Sequence, residues 1–201
     1  MKNEEFLKKE FVGGKTDNPM ASALQGNSSS FIPHPSFVYF LGLGTNLGNK
    51  EQNLRDAVQK IEERIGRVSS LSAFYTTAPW GFDSANCFLN AVCQVGTTLQ
   101  PLQVLEATQA VEREMGRTSK SVNGVYHDRV IDIDLLLCYA ADGTPVTVDT
   151  PHLHLPHPLM HLRDFVMRPL VEIAPHALHP IFRKTMEELW EQESCEKYHA
   201  R

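Results

Sequence analysis

The sequence predicts an α+β fold, in which one antiparallel β-sheet carries two helices on one face, from three observations. Segments with strand-like and helix-like apolar spacing follow one another in the order β-α-β-β-α-β. Glycine or proline stands at the ends of the helical segments, where these residues typically begin or end a helix. The 201 residues are 42% hydrophobic and 21% charged, which is ordinary for a globular protein and too apolar for a wholly disordered chain.

The first half of this pattern is a strand, a helix and a second strand. Residues 37–43 form an apolar, β-rich run that Gly44 ends, so we expect a buried strand. Residues 50–66 have helical spacing, and Gly66 stands where a glycine typically ends a helix. The apolar positions that share one face of this helix are Leu54, Val58, Ile61 and Ile65. Residues 68–77 are predicted to form the second strand.

The second half is a strand, a helix and a strand. Residues 88–98 are predicted to form the third strand. The next segment, 101–115, is predicted to be a helix, with Pro101 in its first turn and Gly116 directly after its end. Residues 130–138 are the fourth predicted strand. This order is the ferredoxin-like βαββαβ arrangement, with both helices on one face of the sheet.

The two ends of the chain lie outside this pattern. After Pro151 comes a loop rich in proline and histidine, and then short helices are expected around residues 164–173 and 184–193. The N-terminal segment is charged and then rich in Gly, Asn and Ser, so it buries too little apolar surface to offset its ordering entropy. We therefore expect a flexible N-terminal extension, a folded domain and a tail, at residues 1–36, 37–195 and 196–201.

Composition excludes several classes of function. The net charge is -5, from 19 Lys+Arg against 24 Asp+Glu, so there is no basic excess for nucleic-acid binding. No apolar stretch approaches the roughly 18 residues of a membrane span. The four cysteines show no C-x-x-C spacing and there is no secretory signal, so we expect reduced thiols in a cytoplasmic protein.

The sharpest functional feature is the pair Asp132 and Asp134. Residues two apart on a strand share a face, so both carboxylates lie opposite Ile133, which is expected in the core. Two like charges about 7 Å apart repel, and a divalent cation such as Mg²⁺ carrying nucleotide phosphates removes that cost. The alternative is a solvated strand face on which Arg129 pairs with one of the carboxylates.

The third strand adds an aromatic and an amide to the same open face. The alternation of the strand places Phe88 and Asn90 together, which suits a flat heterocycle because Asn offers hydrogen-bond donors and acceptors. An exposed edge pair is the equally simple alternative. On the second helix, Gln109 and Glu112 share a face, although ordinary helix solvation also explains them. The polar loop 117–128 is long enough to be a lid.

Two tempting motifs carry little weight. The segment from Gly42 to Leu47 lacks the third glycine of a dinucleotide fingerprint and indicates a strand-to-helix turn. Four closely spaced histidines suggest zinc, but prolines interrupt them and no cysteine stands nearby. These histidines are His152, His154, His157 and His161.

Eight motifs, in the family's order, make the chain resemble the 6-hydroxymethyl-7,8-dihydropterin pyrophosphokinases of the folate pathway over roughly residues 38–182. The motifs are Leu43-Gly-Thr-Asn-Leu47, Phe74-Tyr-Thr-Thr-Ala-Pro-Trp-Gly81, Phe88-Leu-Asn-Ala91, Gln109-x-x-Glu112-x-x-x-Gly-Arg117, Asp128-Arg-Val-Ile-Asp-Ile-Asp134, Pro156-His157, Arg163-Asp-Phe165 and Pro169-Leu-x-Glu-Ile-Ala-Pro175. The resemblance implies transfer of the β,γ-pyrophosphoryl group of ATP to the hydroxymethyl group of the pterin, which leaves AMP. It implies ATP as co-substrate and magnesium, with two ions in each active site.

The resemblance also implies a role for each residue that matches a motif. Asp132 and Asp134 would hold the metal, and Arg117 and Arg129 would face phosphates. The pterin-binding residues would be Thr77, Ala78, Trp80, Phe88, Asn90 and Phe165. The nucleotide-binding residues would be Gln109, Glu112, Arg129, Leu135, His157 and Arg163. The sequence departs from the family pattern at two positions. Ser119 stands where the better-known members have an arginine, and Phe88 stands where a tyrosine is frequent.

Two other functions remain possible from the residues alone. A nucleotidyltransferase would use the same aspartate pair and release pyrophosphate. A ligand-sensing module would have no turnover, although a sensor of a neutral ligand has no use for the two carboxylates. The sequence leaves the oligomeric state open.

Overall fold

The structure is a computed structural model that describes residues 34–81, 84–117 and 127–199. Most of the expected N-terminal extension (1–36) and most of the expected lid (117–128) therefore lie outside the described residues, as does the end of the tail. In the parts of the chain that the structure does describe, every helix is too short or too polar to span a bilayer.

One five-stranded antiparallel sheet forms the centre of the fold. Its strands are β1 (Phe37–Thr45), β2 (Arg67–Leu71), β3 (Tyr75–Thr77), β4 (Phe88–Thr97) and β5 (Asp132–Ala140). They pair in the order β2-β4-β1-β5, and β3 pairs with the opposite end of β4 from β2. This is the strand order of the predicted ferredoxin-like fold, which is confirmed.

The predicted helices α1 (Lys50–Arg64) and α2 (Pro101–Glu114) cover one face of this sheet. Helix α2 ends as expected at Gly116, whose φ of 95° is left-handed and lets the Arg117 N–H donate to the Glu112 carbonyl at 3.0 Å. Helix α1 ends at Arg64 with Ile65 as its C-cap, so Gly66 follows the end directly as predicted, although without the left-handed φ of Gly116. A Cβ at Gly66 would lie 2.2 Å from the carbonyl oxygen of Gly96, so the close approach of β4 requires glycine there.

The opposite face of the sheet, which the sequence predicted to be open, is covered over part of its area. The predicted helix α3 (Asp164–Ile173) packs on it, and the helix α4 (Met186–His199), which is longer than expected, packs against α3 and adds Met186 and Leu189 to the same core. A register shift next to Phe40 places both Leu136 and Leu137 in this second core, although they are neighbours in sequence. The end of the sheet near the first residues of β4 and β5 borders a cavity.

The predicted second strand, 68–77, is two strands separated by three residues. Ser72 interrupts it, because its side chain turns inward and its hydroxyl accepts the Val92 N–H at 3.0 Å. The fourth strand begins two residues later than predicted, at Asp132. The loop rich in proline and histidine contains β7 (His154–Leu155) and a 3₁₀ turn (Met160–Leu162), and β7 forms a small hairpin with β6 (Val148–Asp149), which lies just before Pro151.

Candidate active site

A cavity of about 340 Å³ lies at the end of the sheet that α3 and α4 leave uncovered. Fourteen of the fifteen predicted site residues line it, and they come from three strands, two helices and the loops between them. They are Thr77, Ala78, Trp80, Phe88, Asn90, Gln109, Glu112, Arg117, Arg129, Asp132, Asp134, His157, Arg163 and Phe165. The alternation of β4 and β5 therefore places the predicted side chains in one site.

One end of the cavity is aromatic, and we call it the aromatic end: Thr77, Trp80, Phe88, Asn90 and Phe165. Trp80 and Phe165 meet edge to face, with ring centroids 6.2 Å apart. Asn90 is 4% exposed, and its Nδ2 donates to the Thr77 hydroxyl at 2.8 Å. Flat apolar surfaces beside a fixed amide form a surface suited to a planar heterocycle.

The other end is charged, and we call it the ionic end: Glu112, Arg117, Arg129, Asp132 and Asp134. Both carboxylate oxygens of Asp132 accept from arginines, Oδ1 from Arg117 and Oδ2 from Arg129 at 2.6 Å. The structure therefore contains the pairing of Arg129 with one aspartate that the sequence offered as an alternative. Arg117 also donates to Glu112, so these four side chains form a paired network.

Glu112 is held at the ionic end by the backbone as well as by Arg117. It is only 6% exposed, so the solvated helix face considered as its alternative is wrong. Its carboxylate accepts the Ile133 N–H at 2.8 Å, which fixes α2 against the first residues of β5. Burial raises the pKa of Glu112, the charge of Arg117 opposes this, and the charge of Asp132 adds to it.

Asp134 has weaker compensation than Asp132. Arg163 Nη1 lies 3.8 Å from Asp134 Oδ2, and 41% of the Asp134 side chain is exposed within the recessed cavity. Burial in the cavity, followed by the charge of Asp132, raises the pKa of Asp134 to about 7. A strand that presents two neighbouring carboxylates in this way favours a bound cation.

His157 lines the cavity as a neutral side chain. Burial, and then the charge of Arg163, lowers the pKa of His157 to about 4. Its Nδ1 accepts the Leu159 N–H at 3.2 Å, which leaves the proton of the neutral ring on Nε2. Arg163 also reaches the aromatic end, since its guanidinium carbon lies 4.8 Å from the Trp80 ring centroid.

Leu135 is the predicted site residue that the structure does not bring to the cavity. Its side chain is 4% exposed and packs in the core between the sheet and the helices α1 and α2. The alternation that directs Asp134 into the cavity directs Leu135 away from it.

Several residues that the sequence analysis did not single out also belong to the site. Gly42 and Gly44 line the cavity from β1, and a Cβ at Gly44 would lie 3.0 Å from Asn90 Oδ1. Two glycines on alternate positions of a strand are a signal for close approach, which could have identified them. Leu105 and Val166 also line the cavity and carry no such signal.

Comparison with known proteins identifies relatives along most of the chain. Residues 40–175 match the family described as 7,8-dihydro-6-hydroxymethylpterin-pyrophosphokinase (HPPK). A 2-amino-4-hydroxy-6-hydroxymethyldihydropteridine pyrophosphokinase of Porphyromonas gingivalis is 50% identical over 143 residues, which are 71% of this chain and 94% of that protein. The enzyme of the same name from Aquifex aeolicus is 38% identical over 149 residues, which are 74% and 88% of the two chains.

A solved structure has the same fold. The HPPK-DHPS protein of Plasmodium falciparum, crystallised with pteroate, superposes with a TM-score of 0.60 at 13% identity. The match covers 80% of this chain and 45% of that one. At this identity the likeness supports the fold.

Proposed function

The chain belongs to the 7,8-dihydro-6-hydroxymethylpterin-pyrophosphokinase family, and on this basis we propose how its cavity carries out the family's reaction. The protein is a transferase of folate biosynthesis that moves the pyrophosphoryl group of ATP to the hydroxymethyl group of 6-hydroxymethyl-7,8-dihydropterin. Since the β- and γ-phosphoryl groups leave ATP together, the second product is AMP. Its partners in this reaction are small molecules.

The pterin binds at the aromatic end in this proposal. Phe88 and Phe165 stack on the two faces of the ring, and the Asn90 amide bonds its edge. The contact between Asn90 and Thr77 at 2.8 Å supports this placement, because it holds the amide in one orientation before the ligand arrives. Ala78 and Trp80 close the same end through their backbone groups.

ATP lies along the ionic end in this proposal. Arg117 and Arg129 exchange carboxylate partners for phosphate oxygens, which suit their forked donors equally well. Gln109, Glu112, His157 and Arg163 contact the nucleotide, and the neutral His157 offers its Nε2 proton. Leu135 can take part only through its backbone, since its side chain lies in the core.

We propose that Asp132 and Asp134 hold magnesium, with two ions in each site. The donor set fits, because both side chains offer the oxygen ligands that Mg²⁺ prefers and both line the cavity. Among the described residues no third His, Cys, Asp or Glu stands with them as a ligand, which leaves coordination positions for phosphate and water. When bound, the ions neutralise charge on the phosphate oxygens.

The protein's own residues then contribute alignment and electrostatics. The aromatic end orients the pterin so that its hydroxymethyl oxygen faces the β-phosphorus, and the arginines stabilise the charge that develops on the transferring group. No covalent intermediate with the protein is required. The observation that carries this proposal is that one cavity joins a neutral aromatic surface to a cluster of paired arginines and carboxylates.

We also propose that the enzyme works in the cytoplasm. The buried thiols of Cys93 and Cys138 support this, since both are free in the structure. Burial raises the pKa of the Cys93 thiol to about 12 and that of Cys138 to about 11, so neither is a reactive thiolate.

Analysis of the nucleotide products tests the proposed reaction. With Mg²⁺, ATP and 6-hydroxymethyl-7,8-dihydropterin, the protein is expected to release AMP in equal amount to the pterin pyrophosphate. ADP would indicate an ordinary kinase, pyrophosphate a nucleotidyltransferase, and intact ATP a binding module. A reaction without the pterin is the control, and it should leave ATP unchanged.

A further inference from the structure

Asp128 joins three segments of the chain at the edge of the cavity, although it does not line the cavity itself. Its Oδ1 accepts from Asn46 Nδ2 at 2.6 Å and from the Ser84 hydroxyl at 2.7 Å. Its Oδ2 accepts from Asn86 Nδ2 at 2.8 Å. These three hydrogen bonds lower the pKa of Asp128, so the side chain is an ionised acceptor at neutral pH.

The partners of Asp128 connect it to both ends of the cavity. Asn46 is 2% exposed, and its Oδ1 accepts the Arg129 N–H at 2.7 Å while its own N–H donates to the Arg129 carbonyl at 3.1 Å. This clamp holds the backbone of an arginine of the ionic end. Asn86 lies two residues before Phe88, an aromatic wall of the other end.

We infer that Asp128 is a positioning residue, which couples the segment before Phe88 to the segment that carries Arg129. A carboxylate is suited to this role because it accepts several hydrogen bonds at once, and bonds to a charged acceptor are stronger than neutral ones. Arg129 already contacts the other end, since its guanidinium carbon lies 5.8 Å from the Phe88 ring centroid. Through its hydrogen bonds, Asp128 fixes the distance between the backbone segments that carry Phe88 and Arg129.

This inference rests on the proposed placement of the pterin against Phe88, and a swap of donor and acceptor tests it. Asp128→Asn keeps the size of the side chain and leaves Oδ1 to accept from Asn46 and Ser84. Its new amide, however, faces Nδ2 of Asn86, so this bond survives only if the Asn86 amide turns over, and the charge that strengthens all three bonds is lost. Asn86→Asp alone places two carboxylates face to face. The double variant Asp128→Asn with Asn86→Asp restores one donor and one acceptor, with the direction of the bond reversed.

We expect Asp128→Asn to raise the KM for the pterin about tenfold, as the loss of one charge-assisted hydrogen bond would. The KM for ATP should change by less than about threefold, since the Asn46 clamp on Arg129 stays in place. The double variant should return the KM for the pterin to within about threefold of the unmodified enzyme. Asp142→Asn is the matched control. Asp142 lies in the turn after β5, and hydrogen bonds lower its pKa as they do that of Asp128.

Three results would overturn the inference: an unchanged KM for the pterin in Asp128→Asn, no recovery in the double variant, or a loss of melting temperature with KM unchanged. Asn86→Ala, which removes one donor only, gives the same test if the first variant does not fold. Calorimetric binding of the pterin in the presence of an unreactive ATP analogue repeats the comparison without turnover. Failure of the unmodified protein to release AMP would count against the proposed function, and the binding data would still decide the role of Asp128.

Discussion

The two ends of the cavity are built from different chemistry, although they share the same strands. At the aromatic end the polar groups are neutral, and Asn90 is already bonded to Thr77. At the ionic end every polar side chain is ionisable, and Asp132 is bonded to Arg117 and Arg129. The amide of the aromatic end is therefore oriented before a ligand binds, whereas the ionic end pairs Asp132 and Glu112 with arginines and leaves Asp134 more weakly compensated.

This difference indicates how each end responds to its ligand. In the proposed complex a flat ring binds beside an amide that Thr77 already orients, so binding there costs little reorganisation. The proposed phosphates and metal would instead exchange partners with carboxylates and arginines that are already paired, which costs interaction energy before it is regained. We expect changes at the ionic end to affect turnover most, and changes at the aromatic end to affect the affinity for the pterin.

The largest expected effect comes from removing one charge at the ionic end. Asp132→Asn and Asp134→Asn should each lower kcat by about a thousandfold or more, because each removes a carboxylate proposed to bind the magnesium that neutralises the phosphates. Product release measured as AMP at saturating Mg²⁺ checks this, with Asp149→Asn as the control, since the Asp149 side chain is 94% exposed. Near-normal turnover by both variants would contradict the metal assignment.

The same two variants should differ in stability. Asp134→Asn should keep or raise the melting temperature, because it removes a carboxylate whose pKa burial and Asp132 raise to about 7. Asp132→Asn should lower it, since Asp132 is the shared partner of two arginines. Thermal unfolding without ligands separates the two outcomes, and a lower melting temperature for Asp134→Asn would show that its repulsion has been overestimated.

A smaller effect, confined to one substrate, is expected at the aromatic end. Phe88→Ala should raise the KM for the pterin by about 10- to 100-fold, because loss of one stacked ring typically costs about 1–3 kcal/mol. The KM for ATP should change little, and Phe88→Tyr should behave like the unmodified enzyme because it keeps the ring. Phe182→Ala is the control, since Phe182 is exposed and does not line the cavity. Equal losses for both substrates would show that the two ends are not separable.

The smallest expected effect concerns the frame of the aromatic end. Glu172, in α3, accepts the Ala73 N–H at 3.0 and 3.1 Å and the Tyr75 hydroxyl at 2.9 Å. It thus ties the helix of Phe165 to the strand that carries Thr77. Glu172→Gln replaces one acceptor with a donor and should raise the KM for the pterin about threefold.

Tyr75→Phe serves as the partial version of that change, because it removes only the hydroxyl bond and keeps the ring over which the Arg168 guanidinium lies at 4.6 Å. It should show a smaller rise than Glu172→Gln. A larger effect of Tyr75→Phe would mean that the backbone bond from Ala73 contributes little to the frame. Steady-state kinetics with varied pterin distinguishes the two.

Much of the fold could be predicted because it depends on local periodicity. The alternation around Ile133 placed Asp132 and Asp134 on the face opposite the core, and the structure has them there. The segment 68–77 defeated the same reasoning, because its apolar spacing continues through Ser72 while the bonds of that side chain with Val92 and Ala73 divide the strand. No local pattern predicts that a serine side chain will replace a strand contact.

The candidate site was predicted as a set of residues more fully than as a network. Motif order identified the side chains, whereas most of their contacts with one another were not predicted. The pairing of Arg129 with Asp132 was foreseen only as the alternative to a metal, and Arg117 as a second partner of Asp132 was not foreseen. The sequence predicted no contacts for Asp128, because its hydrogen bonds to Ser84 and Asn46 span 44 and 82 positions of the chain.

The sequence by itself determined the βαββαβ order, the face on which the site residues of β4 and β5 lie, and the family. These follow from repeats of two and 3.6 residues and from short motifs, which are written along the chain. Only the tertiary structure decided that α3 and α4 cover part of the second face, and that Arg117 pairs with Glu112 and Asp132. Such contacts depend on how distant segments pack together, and burial at the cavity then sets the charge states of Asp134 and His157.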